Sequence, residues 1–119
     1  MKILIVDDDM LITQMLSLKL AEKGYEVENS NNGWDALKRL SNNQYDLLIT
    51  DLMMPEVSGV TILSLLRSYV FGKIPVIIIS SLEQMSSLIA ELGCKAEDYF
   101  AKPINIHKLI ARIQKLVPG

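Results

Sequence analysis

Segments with the pattern of β-strands alternate along this chain with segments whose apolar residues recur at helical spacing. The strand-like segments are KILIV, YEVEN, DLLIT, PVIIIS and DYFA, and each is followed by a helix-like segment. Strands buried on both faces read as short apolar runs, whereas helices carry apolar residues three and four positions apart. Regular alternation of the two predicts a parallel sheet with right-handed crossovers and helices on both faces.

Five strands and five helices fit a doubly wound, flavodoxin-like α/β fold with strand order 2-1-3-4-5. We expect residues 1–119 to form a single domain, because this length buries one core but is too short for two. Half of the residues are hydrophobic and 22% are charged, as in an ordinary globular protein.

Charge and cysteine content exclude several functional classes. The net charge of −2 gives no reason to expect direct nucleic-acid binding by this domain. Cys94 is the single cysteine, so neither an internal disulfide nor a cysteine zinc cluster can form. The apolar run Ile3–Val6 is too short for a signal peptide, and no run is long enough to span a membrane. We therefore expect a cytoplasmic protein that does not bind membranes.

The helical spacing also predicts which side chains face the core. The first helix should run from Leu11 to Lys23 and stop at Gly24, with an inward stripe formed by Leu11, Ile12, Met15, Leu16, Leu18 and Leu20. The second helix should turn Trp34, Leu37 and Leu40 inward.

Polar side chains stand where four of the predicted strands end. Asp7 and Asp8 follow the first strand, Asp51 the third, Ser80 the fourth and Lys102 the fifth. Ligands of such sheets bind outside the carboxyl ends of the strands, at the switch point beside the first strand. We therefore expect these five groups to meet at one edge of the sheet.

Three carboxylates in one crevice need a counter-charge to remain ionised. Mg²⁺ suits this role, because it favours one or two carboxylates together with waters and a phosphate oxygen. With the metal bound, the Asp51 carboxylate could attack an electrophilic phosphorus. Lys102 and Ser80 are suitable donors to the phosphate oxygens.

The segments ILIVDDD, YDLLITDLMMPEVSG, PVIIISS and DYFAKP resemble the signature segments of receiver domains of bacterial response regulators. The resemblance extends from Lys2 to Val117. It implies that Asp51 is the phosphoacceptor and that Asp7 and Asp8 are the metal-binding acidic pair. It also implies that the main-chain carbonyl of Met53 is a further metal ligand.

The same resemblance assigns roles on the fourth and fifth strands. Ser80 takes the hydroxyl switch position, Lys102 the position of the family's lysine, and Tyr99 that of its aromatic switch. A cis peptide bond is implied before Pro103. The implied protein is a phosphorylation switch rather than a turnover enzyme. The resemblance further implies that a sensor histidine kinase or a histidine phosphotransfer protein supplies the phosphoryl group, and that the surface of the fourth helix, fifth strand and fifth helix changes in response.

The residues taken by themselves are also compatible with simpler roles and with two different kinds of protein. Asp7 and Asp8 could form a solvated turn, Ser80 could cap a helix, and Tyr99 could be core. A flavodoxin-like cofactor binder would need a glycine- or hydroxyl-rich loop where this chain has acids. A Mg²⁺-dependent aspartyl phosphatase shares the Asp, Ser and Lys groups. It usually adds a carboxylate just after the nucleophile, where this chain has Leu52 and Met53.

Overall fold

A computed structural model of the protein describes residues 1–52, 54, 58, 61–62, 74–81, 83 and 96–118. The elements in chain order are β1 (Lys2–Val6), α1 (Met10–Glu22), β2 (Glu26–Ser30), α2 (Gly33–Asn42), β3 (Leu47–Asp51), β4 (Val76–Ser81), β5 (Asp98–Lys102) and the C-terminal helix α3 (Ile106–Leu116). The third and fourth predicted helices fall largely outside the described residues.

The five strands form one parallel sheet in the order β2-β1-β3-β4-β5, which confirms the predicted topology. β1 lies inside the sheet and pairs with β2 on one side and β3 on the other. Its residues Ile3 to Val6 have no exposed surface. This accounts for the continuous apolar run, because helices cover a parallel sheet on both faces.

Alternate side chains of each strand enter two separate cores. Leu4, Val6, Leu48 and Ile78 pack with α2 residues such as Ala36 and Leu40. Ile3, Ile5, Ile49 and Ile79 pack on the other face with Leu16 and Leu20 of α1 and with Leu109 and Ile113 of α3. The alternation continues to the strand ends, where it directs Asp7 and Asp51 to the α1–α3 side of the sheet.

The bounds of α1 agree closely with the prediction, but its predicted inward stripe is wrong in part. Asp9 is the N-cap, and Gly24 follows the helix with a φ of 91°. Leu11 and Leu18 are 78% and 68% exposed, and Thr13 is buried instead. The sheet covers only one side of a helix. The six apolar residues of the predicted stripe spread over a wider arc than that side.

The predicted inward position of Trp34 is also wrong, since this side chain is 61% exposed. The buried residues of α2 are Gly33, Ala36 and Leu40. Two small residues and one leucine, and not the tryptophan, therefore form the side of the helix that faces the sheet. Trp34 is then rotated about one hundred degrees away from Gly33 and faces outward. Leu37 is partly buried against the core, as predicted.

No helix among the described residues has the length and apolar character needed to cross a membrane.

Candidate functional site

Two buried carboxylates lie side by side at the carboxyl edge of the sheet. β1 and β3 pair with Val6 opposite Thr50, so the next residues, Asp7 and Asp51, are neighbours on the same face. Asp7 is fully buried and Asp51 is nearly so. One carboxylate oxygen from each of Asp7, Asp8 and Asp51 lies within 4.8 Å of the others, and Asp8 is exposed. The predicted grouping of these three acids is confirmed.

Lys102, at the end of β5, reaches the same two buried carboxylates. Its Nζ lies 3.0 Å from Asp7 Oδ2 and 3.3 Å from Asp51 Oδ2. β5 is separated from β3 by β4, so the long side chain crosses the end of the intervening strand. The peptide bond between Lys102 and Pro103 is cis, as the resemblance implies.

The environment of Asp7 combines burial with two donors. Burial raises the pKa of the Asp7 carboxyl, and the backbone N–H of Asp9 and the Lys102 ammonium oppose that rise. The Asp9 N–H donates to Asp7 Oδ1 at 2.8 Å. Burial alone would lower the pKa of Lys102. The hydrogen bond to Asp7 and the charge of Asp51 outweigh this effect, so the pKa is raised. Lys102 therefore stays protonated in this site at neutral pH.

The ligand atoms at this edge of the sheet suit a hard divalent cation. Three carboxylates face one ammonium, so two negative charges remain when all the groups are ionised. All the acidic ligands are oxygen atoms, and one of the three residues is open to solvent. Mg²⁺ uses a few carboxylate oxygens and keeps several waters, so this arrangement suits it.

Ser80 lies at the same edge, on the other face of the sheet. β3 and β4 pair with Asp51 opposite Ile79, so Ser80 is one residue further towards the edge. It is fully buried. Ile77 and Ile79, which alternate along β4 just before Ser80, point to the α1–α3 side, so Ser80 points away from it. Its role as a switch hydroxyl stays a prediction.

Tyr99 pairs in register with Ile78 and is partly buried. Its hydroxyl accepts a hydrogen bond from the Ala96 N–H at 3.2 Å. The aromatic switch role remains a prediction. Met53, the predicted main-chain ligand, lies outside the described residues.

The sequence prediction did not include the support that neighbouring residues give to the acids. The Asp9 N–H holds Asp7, and the Thr50 hydroxyl donates to the Asp51 carbonyl at 3.0 Å. The first contact has a local signal, because aspartate side chains often accept from the N–H two residues further on. The second depends on burial that no local pattern specifies.

A family model described as "Response regulator receiver domain" matches residues 3–114. The chain belongs to this family. The receiver domain is 35% identical over 117 residues to "Response regulator MprA" of Mycobacterium leprae, and 36% identical over 116 residues to "Transcriptional regulatory protein CpxR homolog" of Haemophilus influenzae. These matches cover 98% of the chain and 51% and 50% of the two relatives, so the chain spans about half of their length.

Solved receiver structures have the same fold. The receiver domain of the Francisella response regulator 1452 superposes with a TM-score of 0.86 at 36% identity, over 97% of this chain and 94% of that one. The response regulator TrrA of Thermotoga maritima, solved in complex with Mg(2+)-BeF, gives 0.83 at 31% identity, over 98% of each chain. This receiver domain is therefore a component of two-component signalling.

Proposed function

We propose that this receiver domain is a phosphorylation switch in which Asp51 accepts a phosphoryl group from a phosphohistidine. The donor is a sensor histidine kinase or a histidine phosphotransfer protein. The observation that supports this best is the buried Asp51 carboxylate beside two further carboxylates and Lys102. The Mg(2+)-BeF complex of the TrrA relative supports a metal-dependent phosphoryl site in this family.

In the transfer, an Asp51 carboxylate oxygen forms a bond to phosphorus as the bond from phosphorus to the donor's imidazole nitrogen breaks. The electron pair of that bond stays on the imidazole. Asp7, Asp8, Asp51 and the Met53 carbonyl would hold Mg²⁺, which supplies charge neutralisation and orientation of the phosphoryl oxygens. Lys102 then donates its hydrogen bond to a phosphoryl oxygen instead of to the Asp51 carboxylate.

The switch follows from this exchange of partners. Phosphorylation adds roughly −1.5 to −2 charge beside Lys102, which can donate to it. Ser80, at the end of the adjacent strand β4, would turn its hydroxyl towards the phosphoryl group to act as a second donor. We propose that these contacts and an inward turn of Tyr99 shift an existing equilibrium. The surface that changes includes the fourth predicted helix, β5 and α3.

The test is phosphorylation by acetyl phosphate with Mg²⁺, followed by intact-mass measurement. One base-labile phosphate per chain is expected, and none on Asp51→Asn, because an amide is a poor nucleophile and a weak metal ligand. Asp9→Asn is the matched control, since it removes an acid nearby and should still be phosphorylated. Phosphate on Asp51→Asn would contradict the assignment. Continued catalytic release of phosphate from the donor, with many turnovers per chain, would favour a phosphatase.

A further inference from the structure

Asp7 is held by hydrogen bonds at both its main chain and its side chain. Its backbone N–H donates to the Ser30 carbonyl at 3.1 Å, and its Oδ1 accepts from the Asp9 N–H at 2.8 Å. The other carboxylate oxygen, Oδ2, is buried and lies 3.0 Å from Lys102 Nζ. The Asp9 N–H therefore determines which of the two Asp7 oxygens is turned towards Lys102.

The direction of this N–H depends on how α1 begins. Asp9 is the N-cap of the helix and has an extended backbone, with φ −85° and ψ 104°. Its carboxylate accepts from the Leu11 N–H at 3.0 Å, and its carbonyl accepts from the Thr13 N–H at 3.2 Å. A side chain that caps a helix in this way keeps its own residue in the extended conformation. The first turn of α1 thus fixes the backbone of Asp9.

Asp9 itself is not one of the clustered acids. Its side chain is exposed, and the group of three carboxylates found among the described residues consists of Asp7, Asp8 and Asp51. The Asp9 carboxylate holds the start of the helix, while the Asp9 N–H holds Asp7. One residue therefore connects the first turn of α1 to a fully buried acid at the edge of the sheet.

We propose that Asp9 is a positioning residue for the metal site: by capping α1 it aims its backbone N–H at Asp7 and holds that carboxylate in one orientation. The role rests on the proposed function, in which Asp7 is a ligand of Mg²⁺. Outer hydrogen-bond partners orient metal ligands, and their loss weakens metal binding by about 10–100-fold. Asp9→Ala keeps the N–H and removes only the cap that aims it. We therefore expect a loss of about tenfold, at the lower end of this range.

Two simpler roles for Asp9 make different predictions. If its negative charge merely attracted the cation, Asp9→Asn would weaken Mg²⁺ binding as much as Asp9→Ala does. If the cap merely stabilised the fold, removing the cap of another helix would have the same effect on the metal. Asn32 provides that comparison, because it is the N-cap of α2 and accepts from the Asp35 N–H at 2.8 Å.

The first measurement is made by NMR on the metal-free protein in EDTA. The three-bond couplings between Hα and Hβ of Asp7 report whether its side chain occupies one staggered rotamer or several. One rotamer is expected in the parent and in Asp9→Asn, since the amide oxygen can still accept the Leu11 N–H. Averaged couplings are expected in Asp9→Ala. The amide proton of residue 9 should also exchange with solvent faster in that variant.

The second measurement is the affinity for Mg²⁺, from NMR titration of the same proteins. Asp9→Ala should weaken binding about tenfold, and Asp9→Asn should restore it to the parent value. Asn32→Ala removes a comparable capping bond and should lower the stability of the fold to a similar extent, with no change in metal affinity or in the Asp7 couplings. Asp9→Gly lacks the capping oxygen but costs a helix less than alanine, so it should show the loss of affinity in a more stable protein.

Any of three results would overturn the positioning role. The first is that Asp7 keeps one rotamer, or that Mg²⁺ affinity is unchanged, in Asp9→Ala and Asp9→Gly. The second is equal weakening of Mg²⁺ binding by Asn32→Ala, and the third is equal weakening by Asp9→Asn.

The proposed function is tested separately by intact mass. A parent protein that takes no phosphate contradicts the switch, and the couplings in EDTA still test whether Asp9 positions Asp7. A protein that is phosphorylated on Asp51, but whose Asp7 couplings do not depend on the cap, contradicts only the role of Asp9.

Discussion

The ammonium nitrogen of Lys102 lies 3.0 Å from Oδ2 of Asp7, although these residues end strands that are separated by two others. β3 and β4 stand between them, and Asp51 of β3 lies on the way, at 3.3 Å from the same nitrogen. Asp7 is fully buried. Lys102 therefore supplies the counter-charge to both buried acids and ties the edge strand β5 to the middle of the sheet.

Lys102→Met should destabilise the metal-free domain by about 1–3 kcal/mol, because two buried carboxylates lose a donor. Mg²⁺ should reduce this loss, since a divalent cation replaces the missing charge. Urea unfolding in EDTA and in Mg²⁺ measures both values. Lys108→Met, which removes an exposed lysine of α3, should cost less than about 0.5 kcal/mol in either buffer. An equal loss for Lys102→Met in both buffers would contradict the counter-charge role.

Asp8→Asn should stabilise the metal-free domain by about 0.5 kcal/mol, because it relieves repulsion from Asp7 and Asp51. It should also weaken Mg²⁺ binding about tenfold or more, because an uncharged amide oxygen is a weaker ligand than a carboxylate and even the loss of an outer-shell partner costs about tenfold. Asp9→Asn is the matched control: it removes the same charge, and the amide oxygen can still accept the Leu11 N–H as the N-cap. Metal titrations followed by NMR give the affinities. Similar weakening in both variants would point to general charge rather than to ligation by Asp8.

Tyr45→Phe should cost about 1 kcal/mol at neutral pH. The Tyr45 hydroxyl donates to Glu28 Oε1 at 2.6 Å, and this bond, with Lys2 and Arg39, lowers the pKa of Glu28 from its usual 4.5. Burial, together with the Glu28 carboxylate, raises the pKa of Tyr45 to about 12, so its hydroxyl remains a donor.

The pKa of Glu28 is lower in the folded state than in the unfolded state. Its contribution to folding stability is therefore fully present above pH 4.5 and is lost as the pH falls through the folded-state pKa. The cost of Tyr45→Phe should shrink over the same range. Tyr25→Phe is the control, since the Tyr25 hydroxyl donates to the Val117 carbonyl at 2.7 Å, a group that does not titrate. Denaturation at several pH values should show a falling cost for the first variant and a constant cost for the second. If the costs of the two variants changed with pH in the same way, the Tyr45 hydroxyl would not draw its stabilising effect from the ionised Glu28 carboxylate.

Trp34 is the single tryptophan, so fluorescence excited selectively in tryptophan reports the surroundings of this side chain alone. At 61% exposure, its emission should resemble that of tryptophan in water, and iodide should quench it readily. Trp34→Ala should change the unfolding free energy by less than about 0.5 kcal/mol, whereas Leu40→Ala should cost about 2–5 kcal/mol. A blue-shifted, protected emission would show that the tryptophan packs inward.

The topology and the acidic edge were predictable because each leaves a local mark. Burial on both faces gives KILIV and PVIIIS their continuous apolar character, and the switch-point rule then brings the strand-end acids together. The rotation of a helix about its axis leaves no such mark in the sequence when the helix has more apolar residues than the sheet can cover. Leu11 was misplaced for this reason. Trp34 was misplaced because the small residues Gly33 and Ala36, which carry no apolar signal, form the buried side of α2. The reach of Lys102 across two strands depends on side-chain length and register together, so the strand pattern alone could not predict the Asp7 contact.

The position of β1 between two later strands has a consequence for synthesis. Ile3 pairs with Val27 on one side and with Leu47 on the other. Chains emerge from the ribosome at about 5–20 residues per second, so the first strand made waits seconds for its second neighbour. During that interval the apolar run KILIV has no complete sheet to enter. The strand at the middle of the finished sheet is therefore also the apolar segment that stays incompletely paired while the rest of the sheet is made.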